Sequence, residues 1–479
     1  MIKIKEICKL LLLLLCYESE AHVETRYYPR YHIAPLFGWM NDPNGFSFFK
    51  CVYHLFFQYN PYSSKSPGIT NWGHVVSKNL VDWSHEPIAM KPDEYYDKDG
   101  VFSGCAIVEN GELVIFYTGN VNLENNSYMH REVQALAYSK NGINITKYAN
   151  NPIIKGNHFQ PNFRDPKVWK EDYIYYMVLG NSLNDTFGRV LLYQSRNLIN
   201  WEYQTVLAQS NGTLGYMWEC PDFFKLGNYY VLLFSPQGIK PQGDKYRNLY
   251  QVGYFVGEFD KETKYFNILT EFREVNRGHD FYATQTMLDK SGRRLMVAWN
   301  DMWGQSYPES NEGFKGELTF ITELSLSSDL RLIQKPIREL RKLIVKKLFS
   351  GKCSADVLLP DKTGKAIIRA SNAKDFTLYV QDASNNSNKV TVQYNSKIGY
   401  VTLNRGGEDG IRGAEYKPST DLCLVMLVDA SSVELFFGKG ELTFASRFFP
   451  NGDIIIRQEI HEAYNFTVYM IRRSVPFPE

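Results

Sequence analysis

Over the first two thirds of the chain, apolar positions fall in short aromatic-rich runs separated by turn formers, a pattern of strands rather than helices. Five runs stand out: Tyr53–Pro61 (YHLFFQYNP), Glu112–Asn120 (ELVIFYTGN), Asp172–Asn181 (DYIYYMVLGN), Asn228–Gly238 (NYYVLLFSPQG) and Arg293–Trp303 (RRLMVAWNDMW). Their starts lie 59, 60, 56 and 65 residues apart. A second phrase follows three of them: SKNLVDW at 77–83, SKNGINI at 139–145 and SRNLINW at 195–201, with a degenerate copy at 327–330. A polar motif opens each unit: NDPNG at 41–45, VFSGC at 101–105, FRDP at 163–166, WECPD at 218–222 and GHDFYATQ at 278–285. Such spacing predicts an all-β fold whose residues 27–332 form a five-bladed β-propeller. The first strand of each propeller blade lines the central axis. Equivalent residues of different blades therefore meet at one end of the channel, which lets Asp42 and Glu219 share a site.

The repeat stops near residue 330. Residues 333–349, with the charged run QKPIRELRKLIVKK, read as a linker. Alternating strands then recur at 376–381, 389–394, 423–428, 433–437, 453–458 and 465–471, so residues 350–479 predict a β-sandwich. It carries no acid motif like those upstream, which suggests a structural or substrate-trimming role.

At 479 residues the chain exceeds one ordinary core, in keeping with two domains. Basic and acidic residues balance, 53 against 52, which argues against a nucleic-acid partner. Residues 1–20 read as a signal peptide: lysines flank Leu10–Leu15, a run too short to span a bilayer. The expected localisation is secreted, with no membrane association after cleavage. Six Asn-x-Ser/Thr sequons fit secretion: Asn125, Asn144, Asn184, Asn211, Asn385 and Asn465. Removing Cys8 and Cys16 with the signal leaves an odd number of cysteines, of which Cys353 and Cys423 could pair. The chain has neither a CxxC nor an HExxH pattern, and we expect no metal and no cofactor.

The chemistry begins at Trp39–Gly45 (WMNDPNG), where Asp42 stands among turn formers beside Trp39 and Asn41. An aromatic face, an amide and an acid are what a sugar site needs. Taken alone, Asp42 also reads as an Asx turn, Asp165 as an ion pair with Arg164, and Glu219 as a rim carboxylate. All three in register favour catalysis. A retaining glycosidase needs two carboxyl groups about 5–5.5 Å apart, one ionised and one protonated. Amide donors around Asp42 favour ionisation, so it reads as the nucleophile. Trp218, Cys220 and Pro221 give Glu219 an apolar setting that should raise its pKa, so it reads as the acid/base. Asp165, kept charged by Arg164, would bind two adjacent hydroxyls of a furanose ring.

These motifs, with WGH at 72–74, FSG at 102–104 and DFYATQ at 280–285, resemble glycoside hydrolase family 32, the β-fructofuranosidases, over roughly residues 30–479. The resemblance implies a five-bladed propeller with a C-terminal sandwich. It implies attack by Asp42 on a β-linked fructosyl unit, acid/base work by Glu219 and transition-state stabilisation by Asp165. It also implies fructose binding by Asn41, Gln58, Trp72, Phe102, Ser103 and Arg164, with Trp39 alongside. Cys220 would tune the neighbouring acid, and Tyr282 and Trp299 would stand at the rim. Bacterial members often carry a tryptophan about five residues before the WGH motif; here Ser66-Pro67-Gly68 occupies that neighbourhood.

The partner expected is a small sugar, sucrose first. A fructan (inulin or levan) hydrolase or a fructosyltransferase could use the same residues. A non-catalytic sugar-binding protein is a distant alternative. Sucrose-6-phosphate is a further substrate to weigh, with secretion against it.

Overall fold

The computed structural model describes residues 26–123, 126–156, 162–352, 355–418, 421–460 and 464–478. The leader read at 1–20, Asn125 and Cys353 lie outside them. Five sheets follow one another along the chain, antiparallel except for the short segment Phe314–Lys315, which joins the edge of the first in parallel. Their inner strands are Gly38–Phe49, Val101–Glu109, Phe163–Glu171, Met217–Leu226 and Tyr282–Leu288 in blades 1 to 5. Each inner strand packs against those of the blades before and after it, and the fifth returns to the first, so the ring closes. This is the five-bladed propeller expected from the repeat.

The five aromatic runs are the second strands, such as Val52–Asn60, Ile174–Leu183 and Tyr229–Gln237. They are buried almost throughout, because each lies inside a blade that is itself covered on both faces. That is why they read as continuous apolar runs. The Ser-Lys/Arg-Asn phrase is the turn after the third strand. Ser77 Oγ accepts the Asn79 and Leu80 N–H groups, and Ser195 Oγ does the same for Asn197 and Leu198. Leu80, Gly142, Leu198 and Leu330 occupy the same left-handed position of this turn, at φ +68°, +83°, +67° and +57°. Only Gly142 adopts it without side-chain strain.

The run read as a linker is not one. Leu332–Pro336 is the last strand of blade 5, Arg338–Leu343 is a short 3₁₀ helix, and Ile344–Gly351 is the first strand of the second domain. Its charges face outward while Leu332, Ile333, Ile337, Leu340 and Leu343 are buried. The second domain consists of two six-stranded sheets packed face to face. Leu378, Val392, Leu403, Leu424, Leu435 and Ile456 lie in the core between them. Cys423 is a free thiol, as are Cys51, Cys105 and Cys220.

The N-terminal stretch counted with the propeller is a strap onto the sandwich. The Asp429 carboxylate accepts the backbone N–H groups of Arg30, Tyr31 and His32 at 2.8, 3.0 and 3.1 Å. The His32 ring spans two sandwich acids, Nδ1 to Asp429 at 2.9 Å and Nε2 to Glu434 at 2.7 Å. Burial alone would push the imidazole pKa down. The two carboxylates reverse this and raise it from 6.5 to about 10. A raised folded-state pKa stabilises the protein fully below the unfolded value and is lost as pH climbs through the folded one. His32→Gln should therefore lower thermal stability most below pH 6.5, by about 3–5 kcal/mol for a broken buried pair. The deficit should shrink as pH approaches 10. A deficit independent of pH in thermal scans from pH 6 to 10.5 would show that His32 is not held protonated.

Candidate active site

Every inner strand is irregular at the same place. Pairing with the second strand slips between Met40 and Pro43 in blade 1, and between Phe102 and Gly104 in blade 2. The slip recurs after Arg164, between Glu219 and Asp222, and between Tyr282 and Gln285. Three residues at these bulges take left-handed backbone: Asp165 (φ +63°), Cys220 (φ +47°) and Ala283 (φ +50°). A bulge breaks the strict in–out alternation of a strand and re-aims its side chains. Counted from the last paired residue before each slip (Met40, Phe102, Arg164, Glu219 and Tyr282), Asp42 is the second residue on, Asp165 the first, and Glu219 the paired residue itself. Asn41, Ser103, Cys220 and Ala283 stand level with Asp165. The three acids are thus not in one register: each is offset from the next by one residue.

Beside these bulges lies a cavity of about 360 Å³. Asn41, Asp42, Gln58, Phe102, Ser103, Arg164, Asp165 and Glu219 line it, as expected from the sequence. Asp42 Oδ1 accepts from Asn41 Nδ2 at 3.0 Å and Oδ2 from Ser103 Oγ at 2.8 Å. Asp165 Oδ2 accepts the Cys220 N–H at 2.9 Å. The Cys220 thiol stands 3.5 Å from Asp42 and 3.7 Å from Asp165, so it serves these two and not the Glu219 carboxylate. Burial and the surrounding acids hold the thiol pKa high, which keeps it a donor.

The charge partners differ from those expected. Arg164 makes no ion pair with Asp165. Its Nε and Nη2 donate to Glu219 Oε1 at 3.0 and 2.9 Å, and its Nη1 reaches Glu132 at 3.1 Å. Tyr282 OH donates to Glu219 Oε2 at 2.5 Å. Glu219 therefore sits between a guanidinium and a phenol, not in an apolar wall. The Trp218 ring turns the other way, stacked on Phe234 with centroids 4.0 Å apart. Asp42 was expected to ionise readily. Burial, and then the Glu219 charge, raise its pKa despite the donors Asn41, Ser103 and Cys220. Asp165 is raised well above the usual carboxylate range by burial, then by Glu219 and Asp42, with Arg164 opposing. Carboxylates crowded out of water resist simultaneous ionisation.

The aromatic assignments change most. Trp72 and Trp299 are fully buried and do not line the cavity. Trp72 Nε1 instead holds the Phe102 carbonyl at 3.0 Å. Tyr282, too, is buried and not at a rim. Trp39 acts from behind: its Nε1 donates to Asn41 Oδ1 at 3.1 Å, and its ring stacks on Trp303. Trp303 is the tryptophan that faces the cavity, and it closes the fifth aromatic run. Asp99, Asn122, His130, Glu132 and Asn162 also stand in the wall. They belong to no motif, because blade packing alone brings them there.

The family model "Glycosyl hydrolases family 32 N-terminal domain" matches residues 32–336, and "Glycosyl hydrolases family 32 C terminal" matches 322–467. The chain belongs to glycosyl hydrolases family 32. Among its relatives is a raffinose invertase of Escherichia coli, 38% identical over 89% of this chain and 90% of that one. A sucrose-6-phosphate hydrolase of Bacillus subtilis (strain 168) is 35% identical over 88% of each. Among solved structures, a Bombyx mori GH32 beta-fructofuranosidase superposes with a TM-score of 0.90 at 39% identity, covering 98% of this chain and 99% of that one. A mutant of that enzyme has been solved in complex with sucrose, at the same similarity. This family 32 chain is thus a glycoside hydrolase with a propeller and a sandwich.

Ser103 carries a prediction. Its hydroxyl stabilises ionised Asp42, and a hydrogen bond to a charged group is worth about 1.5–3 kcal/mol, or roughly one to two pKa units. Ser103→Ala should move the acidic limb of kcat/KM to higher pH by about one unit. An unmoved limb would mean that Asp42 ionisation does not govern it.

Proposed function

We propose that this family 32 enzyme is a β-fructofuranosidase that hydrolyses sucrose to glucose and fructose by a retaining double displacement. The observation that carries the reading is the arrangement of Asp42 and Glu219 on one cavity, each with its own donors. Asp42 has Asn41, Ser103 and Cys220; Glu219 has Arg164 and Tyr282. Asp42 attacks the anomeric carbon of the fructosyl unit. Glu219 protonates the leaving oxygen and then takes a proton from the water that releases fructose. Asp165, fixed by the Cys220 N–H, accepts hydrogen bonds from the fructose hydroxyls. Arg164, pinned on its far side by Glu132, keeps Glu219 aimed. The raffinose invertase relative and the sucrose complex of the Bombyx mori mutant support this substrate class.

Several relatives are sucrose-6-phosphate hydrolases, which makes that sugar the competing substrate. Among the described residues, Asp42, Asp99, Glu132, Asp165 and Glu219 line the cavity. Against these five carboxylates stand Arg164 and His130, and Arg164 is already held by Glu132 and Glu219. Such a wall repels a phosphate dianion. Secretion is part of the proposal. It is supported by the leucine-rich leader and by the sequons: Asn144, Asn184, Asn211, Asn385 and Asn465 are all exposed.

Asp42→Asn should abolish sugar release from sucrose with thermal unfolding unchanged or slightly raised, since it removes a crowded acid. Glu219→Gln should cost about 10²–10⁴-fold in turnover. Near wild-type activity in either variant would falsify the assignment. NMR of the first-formed fructose should show the β anomer; initial α product would exclude retention. Sucrose should exceed sucrose-6-phosphate in kcat/KM by about 100-fold, the scale of an uncompensated like-charge contact. Equal values for the two sugars would overturn the neutral-substrate reading.

A further inference from the structure

Arg447, on a strand of the sandwich, is completely buried and reaches into the propeller. Its guanidinium pairs with Glu309, with Nη1 3.2 Å from Oε1 and Nη2 on Oε2, and lies 3.7 Å from Glu317 and 4.0 Å from Asp301. Glu309 in turn accepts the Gly316 N–H at 2.9 Å. That bond sets the height of the segment Phe314–Lys315, which pairs in parallel with Gly38–Trp39 on the inner strand of blade 1. No side chain fits at Gly316: a Cβ there would come within 2.4 Å of the Met40 carbonyl oxygen. Lys315 also lies over the Trp39 ring, 5.8 Å from its centroid, and pairs with Asp301 at 2.8 Å. Trp39 holds Asn41, and Asn41 holds Asp42.

From these contacts we propose that Arg447 and Glu309 are positioning residues for Asp42, so that the sandwich completes the active site it does not touch. The inference rests on the assignment of Asp42 as nucleophile. The same 3₁₀ turn that carries Glu309, Pro308–Asn311, supports a second wall. Ser64 Oγ donates to the Ser310 carbonyl at 2.8 Å, and the loop that follows supplies Pro67 and Gly68 to the cavity. Joining two domains does not require this arrangement. A buried ion cluster is often no more stabilising than well-packed apolar residues of equal volume. What it supplies instead is direction: a bidentate fork fixes the turn in one orientation.

The experiment is a double-mutant cycle on the full chain, with Glu309→Gln and Trp39→Phe, and with Arg447→Lys in place of Glu309→Gln if that variant does not fold. All proteins are assayed on sucrose at 25 °C, with near-UV circular dichroism checking that each is folded. Glu309→Gln should lower kcat by about 10- to 100-fold with little change in KM, the scale of a sub-ångström to 1 Å misplacement. The double variant should lose little more than the worse single one, because both act through one relay. Unchanged kcat in a folded but less stable Glu309→Gln protein would reduce the cluster to a structural role and overturn the proposal. Fully additive losses would also overturn it, by separating Glu309 from Trp39. A readout independent of turnover is the carboxyl ¹³C titration of Asp42, whose midpoint should rise in Glu309→Gln as the Asn41 bond loosens. An unmoved midpoint counts against the relay. Absence of sugar release from wild type on sucrose would sink the functional assignment instead, and the titration would still decide the relay.

Discussion

Three carboxylates, Asp42, Asp165 and Glu219, are held close together and largely out of water at the bulged ends of three inner strands. Their mutual repulsion is the constraint the rest of the site answers. Left alone, such a group would take up protons until little charge remained. Donors from successive blades oppose this: Asn41 from blade 1, Ser103 from blade 2, Arg164 from blade 3, Cys220 from blade 4 and Tyr282 from blade 5. Each blade contributes one donor at or beside its bulge, and together these five contacts sort charge among three acids.

That sorting depends on backbone irregularity. In a regular strand Glu219 and Cys220 would face opposite sides, and so would Arg164 and Asp165. The bulges, with left-handed φ at Asp165 and Cys220, let neighbours serve the same site. A non-glycine residue in that region carries strain. Here it is offset by the hydrogen bond between the two strained residues, Cys220 N–H to Asp165.

The sandwich contributes from a distance. His32 and Asp429 tie the N-terminal strap to it, and Arg447 ties the segment that edges blade 1. Both ties are buried and charged, and both end on the blade that carries Asp42 or on the strap just before it. Buried charged contacts thus link the sandwich to the blade that carries Asp42, while the cavity's outer wall, from Asp99 to Asn162, is set by blades 2 and 3.

Much of this was legible in the sequence. Burial of the second strand on both faces leaves an aromatic run, and the capped turn after the third strand leaves a Ser-Lys/Arg-Asn phrase; both recur because each blade solves the same packing problem. The three acids stood out because the bulge demands turn-forming neighbours such as Pro43, Pro166 and Pro221. The linker misreading at 333–349 arose because a strand buried on one face keeps its charges on the other. The sequence by itself determined the propeller, the sandwich and the three acids that meet at the cavity, since these follow from local periodicity and local turn chemistry. Only the tertiary structure decided that Arg164 serves Glu219 and Glu132 and not Asp165, that Trp303 and not Trp72 or Trp299 faces the cavity, and that Asp42 has a raised pKa. The reason is that each is set by contacts between blades, or by burial that the whole ring creates, and neither distance nor dielectric between residues far apart in the chain is written in their spacing.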